Sequence, residues 1–138
     1  METENGENDN DQINRIVGGG NYGWPIVPGG GGAPQFIDPI ITFTPTIAPT
    51  GIVAFREDSV YPAQYHNNLL FADFNGGKLH RIVLGGALLT NFVSHSIACD
   101  CGQGGLFAVM HGLNVPGQDG YIYVSNGSSI FRVVLNSP

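Results

Sequence analysis

Leu70-Phe71-Ala72-Asp73-Phe74-Asn75-Gly76 aligns without a gap on Tyr121-Ile122-Tyr123-Val124-Ser125-Asn126-Gly127, an offset of 51 residues. A short phrase follows each copy, Leu79-His80-Arg81-Ile82-Val83 after the first and Ile130-Phe131-Arg132-Val133-Val134 after the second. Ile13-Asn14-Arg15-Ile16-Val17 is a third instance of that phrase. A fixed period of this size marks a repeat architecture. Within each long copy an apolar run, an Asn-Gly pair and a second alternating run predict a hairpin, with Asn-Gly supplying the positive φ angles of a type I′ turn. Hairpins repeated about fifty residues apart point to the blades of a β-propeller.

Composition agrees with an all-β chain. No window of ten or more residues has apolar positions at helical spacing, and 21 Gly and 9 Pro punctuate the sequence. A propeller takes four or more blades of about four strands. At this period the 138 residues hold about two and a half blades, so residues 1–138 are expected to form part of a single propeller domain. Further blades, or another copy of the chain, are its expected partners.

The formal net charge is −6 with only 5 Lys and Arg, which argues against nucleic acid or an anionic membrane as a partner. No segment has the length and apolarity of a membrane-spanning helix, and the acidic opening lacks the pattern of a signal peptide. Cys99 and Cys101 form a lone Cys-Asp-Cys, a spacing expected to leave two incidental thiols: it suits an unstrained disulfide poorly, and no second pair completes a zinc site. The redox compartment stays open.

Along the chain, Glu2 to Asp11 carries five acidic residues and leads into a repeat phrase, which predicts a loop of a blade. Gly18 to Pro39 holds eight Gly and four Pro around Asn21-Tyr22-Gly23-Trp24-Pro25 and predicts a long ordered loop. Trp24 is expected to plug a groove between blades rather than stack on a sugar with Tyr22. Strands are predicted at Ile13–Val17, Ile40–Thr44, Gly51–Phe55, Leu69–Phe74, Lys78–Leu84, Asn91–Ile97, Leu106–Met110, Tyr121–Ser125 and Ser129–Leu135, the last blade being one strand short. His66, His80, His95 and His111 have no metal-ligand spacing and are expected at the surface or a channel rim. Asn126-Gly127-Ser128 matches a glycosylation sequon, but its Asn-Gly is accounted for by the turn.

Thr3-Glu4-Asn5-Gly6, Asp11-Gln12-Ile13-Asn14-Arg15-Ile16, Gly19-Gly20-Asn21-Tyr22-Gly23-Trp24-Pro25 and Pro45-Thr46-Ile47-Ala48-Pro49-Thr50-Gly51 together resemble the second half of the soluble quinoprotein glucose/sorbosone dehydrogenases. The resemblance covers nearly the whole chain. It implies a six-bladed propeller that oxidises aldose sugars with pyrroloquinoline quinone (PQQ) and Ca²⁺, in a periplasmic or secreted setting. It also implies that the catalytic His lies in an N-terminal half outside this chain, so no catalytic residue is assigned here.

By the same resemblance Thr46 reaches the cofactor. The positions matching the family's cofactor-binding Lys and Arg-x-Arg are Asn75, Gly105 and Phe107, none of them cationic. A trianionic quinone would lose there the charge-assisted hydrogen bonds that hold its carboxylates. The implied metal ligands are Gln12 and the Tyr22 carbonyl, with Asp9 and Asp11 nearby. Two functions follow: the C-terminal part of a sugar dehydrogenase lacking the cofactor-binding cations, or a non-catalytic binding or scaffold propeller of the same family.

Overall fold

A computed structural model describes residues 1–32, 34–102, 104–112 and 120–135. Among them run ten strands: β1 (Glu2–Glu4), β2 (Asp11–Asn14), β3 (Ile41–Phe43), β4 (Pro49–Ala54), β5 (Leu69–Asp73), β6 (Lys78–Gly85), β7 (Asn91–Asp100), β8 (Leu106–His111), β9 (Ile122–Asn126) and β10 (Ile130–Arg132). The one helical element described is a single 3₁₀ turn at Ala63–Tyr65. Three sheets form with orders β1-β2-β3, β4-β5-β6-β7 and β10-β9-β8. Ten strands at four per blade are the expected two and a half blades of a partial β-propeller.

The chain divides into two compact units, Met1–Pro49 and Thr50–Pro138. In the first, β2 lies between β1 and β3 and all four of its residues are buried. The acidic opening is thus not wholly a loop: Glu2–Glu4 pairs with β2 in the register Glu2 opposite Asn14 and Glu4 opposite Gln12. The first repeat phrase is correspondingly displaced, its strand ending at Asn14. Pairing outweighs the charge because a strand with one wet face tolerates carboxylates there, and Glu4 Oε2 accepts a hydrogen bond from Asn14 Nδ2 at 2.9 Å.

Asp11 fixes this unit. Its buried carboxylate accepts from the backbone N–H of Gly6 at 2.8 Å and of Ile47 and Ala48 at 2.7 Å each. One side chain therefore closes the β1–β2 connection and anchors the loop after β3.

In the second unit Leu70 and Ala72 of β5 and Leu79 of β6 form a core with Leu106 and Val109 of β8 and Ile122 and Val124 of β9. Phe71, His80 and Ile82 alternate with them in β5 and β6 and are also buried, so the middle strands lack the one-sided pattern of a half-wet sheet. Tyr61 joins the unit's ends, its hydroxyl donating to Val133 O and accepting from Ile122 N, both at 2.9 Å.

Both predicted hairpins form, but neither closes as a type I′ turn. Between β5 and β6 the positive φ falls on Gly77, at 63°, not on Asn75 or Gly76. Asp73 Oδ1 closes that loop by accepting from Gly76 N at 2.7 Å and Lys78 N at 3.2 Å. A Cβ on Gly77 would lie 2.5 Å from Gly104 O, a second reason for glycine there. Between β9 and β10, Asn126 Oδ1 accepts from Ser128 N at 3.0 Å and Ser129 N at 2.9 Å, the side-chain turn that competes with backbone turns at Asn.

Asp11→Ala strands three backbone donors at once. It is expected to lower stability by about 2–4 kcal/mol, read as a shift of the urea-unfolding midpoint; an unchanged midpoint would remove Asp11 from its organising role.

Candidate functional site

Gln12, 4% exposed on the buried strand β2, lines a pocket of about 330 Å³ whose walls include Glu4, Glu7, Asp9 and Trp24. Tyr22 is not among the residues lining this pocket, and its hydroxyl accepts from Val17 N at 2.6 Å and donates to Arg15 O at 2.9 Å. Trp24 is 73% exposed and lies on the wall of this pocket. The Gly-rich chain around it folds on itself through Ile26 N and Val27 N, both donating to Gly23 O, which turns the indole outward. No three His, Cys, Asp or Glu side chains among the described residues converge closely enough to hold a metal ion.

Thr46 is half-buried, next to Ile47 and Ala48, whose N–H groups Asp11 holds. The other three predicted cofactor positions lie in the second unit around one aromatic pair. Phe74 and Phe107 meet edge to face with centroids 5.3 Å apart. Gly105 lies against the Phe74 ring, so closely that a Cβ would collide with it. Asn75 follows Phe74 in the exposed hairpin loop. The neighbourhood is apolar: Phe74 is 44% and Phe107 52% exposed.

The strongest side-chain constellation in the second unit was hidden from spacing arguments. His80 Nε2 lies 2.7 Å from Asp73 Oδ2, and His80 Nδ1 lies 2.9 Å from His95 Nε2. The three residues stand on the adjacent strands β5, β6 and β7. Two offsets bring them together: Phe71 opposite His80, and Ile82 opposite His95. The imidazole planes differ by 9° with centroids 5.2 Å apart, the arrangement of two rings joined edge to edge by an in-plane hydrogen bond. Phe71 stacks on His80 at 4.7 Å.

A carboxylate oxygen only accepts, so His80 Nε2 carries the hydrogen that meets Asp73. In the neutral ring Nδ1 then accepts from His95 Nε2–H. Asp73 and His80 are buried and His95 half-buried, so the chain runs from the interior outward. The histidines are thus not four unconnected surface groups. His66 and His111 are separately tied to backbone carbonyls, of Tyr61 at 2.9 Å and Ala54 at 2.5 Å. The available signal was Asp73 and His80 flanking a hairpin turn with His95 on the next strand; it required the register, which the repeat alone does not give. Cys99 and Cys101, expected as thiols, are joined in a disulfide. Their Cα atoms are 5.2 Å apart, within bridging distance, because the chain leaves its extended path at the end of β7.

Residues 1–130 match the family model described as Glucose / Sorbosone dehydrogenase. Among solved structures, an oxidoreductase from Thermus thermophilus named as a glucose dehydrogenase is 32% identical, with a TM-score of 0.70 over 88% of this chain and 32% of that one. A second structure named glucose dehydrogenase, at 21% identity, has a TM-score of 0.72 over 88% of this chain and 35% of that chain and shares the fold. An uncharacterised Synechocystis protein is 34% identical over 68 residues, covering 41% of this chain and 16% of that protein. The chain spans about a third of the length of the solved relatives it matches.

Burial, and then the charge on His80, hold the His95 pKa below the ordinary 6.5. A depressed imidazole pKa means that the folded state binds fewer protons than the unfolded chain. The contribution of His95 to stability is therefore complete above about pH 6.5 and is lost as pH falls through the folded value. Urea-unfolding free energy is expected to fall on acidification below about pH 6.5, with a smaller fall in His95→Gln; identical pH profiles would dismiss the linkage.

Proposed function

The chain belongs to the glucose/sorbosone dehydrogenase family, and we propose that it serves as the C-terminal blades of a sugar-oxidising propeller whose catalytic His and remaining blades lie outside these 138 residues. The single observation that carries the limits of this role is the aromatic pair Phe74 and Phe107 among Asn75 and Gly105. The residues at this place do not fit PQQ bound through its carboxylates. Three anionic groups would meet two phenyl rings, a glycine with no room for a side chain and a neutral amide, and no step is derived through the quinone. The same pair favours a second role, a binding or scaffold module in which exposed aromatic faces replace the ionic cradle.

Ca²⁺ suits the first unit better. Gln12, 4% exposed, lies in a pocket with Glu4, Glu7 and Asp9, and hard cations take oxygen ligands such as its carboxamide. Since the carboxylates do not converge as a trio and Tyr22 does not line the pocket, the ion would rely on Gln12 and water, with the acids supplying charge from the pocket wall.

Fluorescence titration is expected to show no micromolar PQQ binding by the chain, and a dye-reduction assay no glucose turnover. Asn75→Lys with Phe107→Arg should raise PQQ affinity about tenfold or more per cation without turnover, whereas Gly105→Arg should fail for want of space. Tight binding or turnover by the unaltered chain would overturn the proposal.

Calorimetry is expected to show weak Ca²⁺ binding, strengthened in Gln12→Glu by the restored charge. Equal heats for the two forms would remove Gln12 from the site.

A further inference from the structure

The disulfide between Cys99 and Cys101 spans a single residue, Asp100. A cross-link stabilises in large part by restricting the unfolded chain, and the gain shrinks with the loop it closes. A bridge over one residue restricts almost nothing. Its position is also unlike that of a core staple: Cys99 is exposed at the end of β7, the outer strand of its sheet, while Cys101 is half-buried against the core. Both cysteines line a pocket of about 400 Å³ with Leu79, Leu106, Phe131 and Arg132, a volume suited to a small ligand. Charges of both signs stand at its wall, Asp100 and Arg132. Lys78 Nζ lies 3.5 Å from the carboxylate of the intervening Asp100, and the exposed Arg132 guanidinium lies over the Tyr121 ring at 4.6 Å.

We propose that Cys99–Cys101 is a thiol–disulfide exchange site for a low-molecular-weight cysteinyl thiol, seated in this pocket with its carboxylate toward Arg132. The incoming thiolate attacks the exposed Cys99 sulfur. A bond forms between the two sulfurs, the Cys99–Cys101 bond breaks, and the electron pair leaves on Cys101, which takes a proton from water. A second thiolate attacks the small-molecule sulfur of the mixed disulfide and releases Cys99 as a thiolate, which is protonated in turn. Two thiols are oxidised to their disulfide by two electrons in all, and the protein disulfide is reduced to a dithiol.

Glutathione is the probe, on the full folded chain. Incubation in buffers of varied reduced-to-oxidised glutathione, followed by maleimide labelling and mass spectrometry, is expected to show reversible opening with an unchanged circular dichroism spectrum. In Cys101→Ser the remaining Cys99 should form the mixed disulfide faster than Cys101 does in Cys99→Ser. Arg132→Gln should slow the reaction with glutathione about threefold, the scale of an exposed ion pair, and leave reaction with the carboxylate-free 2-mercaptoethanol unchanged. The proposal is overturned if the bridge resists excess glutathione until urea unfolds the chain, if it opens only to a protein dithiol, or if Cys101 reacts first. Equal slowing of both thiols by Arg132→Gln would overturn the assigned seat.

Discussion

A side-chain oxygen fixed where the backbone changes direction organises each of the three sheets formed by the described residues. Asp11 gathers the N–H groups of Gly6, Ile47 and Ala48; Asp73 gathers those of Gly76 and Lys78; Asn126 gathers those of Ser128 and Ser129. A chain with 21 glycines and 9 prolines has many loops whose donors no ladder satisfies, and each unpaired buried donor would be destabilising by about 1–3 kcal/mol. One carboxylate with two acceptor oxygens answers several of them at once.

Asp73 links this turn chemistry to the candidate site. Oδ1 holds the hairpin loop while Oδ2 meets His80, so the geometry that closes the turn also orients the imidazole and, through it, His95. Phe71 stacked on His80 leaves the ring little freedom to rotate. A residue whose backbone neighbours and ring partners are all fixed is preorganised, and here the preorganisation comes from the repeat's own hairpin.

The repeat was legible because strand pairing demands alternation, and the 51-residue offset preserved it through β5 and β9. The turn closures were not. In the aligned copies Asp73 corresponds to Val124 and Asn75 to Asn126, so the copies place the closing oxygen at different steps of the same hairpin, and an Asn-Gly pair looks alike in both. The His80–His95 contact escaped for a related reason: fifteen residues of separation mean nothing until β6 and β7 are paired with their two register shifts. Exposure of Trp24 and the bridge between Cys99 and Cys101 depend on local chain bends that composition does not encode. Glu2–Glu4 was missed because β1 gains its stability from β2, not from its own propensity.

Two of the positions where relatives are expected to carry cofactor cations are joined by aromatic packing. Phe74 fills the space a side chain at 105 would need, and Phe107 packs on Phe74. Placing a cation at 105 or 107 therefore means displacing a ring, and the burial lost opposes the charge gained, whereas Asn75 lies in the exposed hairpin loop. Packing couples positions 105 and 107 through Phe74. The aromatic cluster is thus self-consistent, and a cation introduced at 105 or 107 has to displace it.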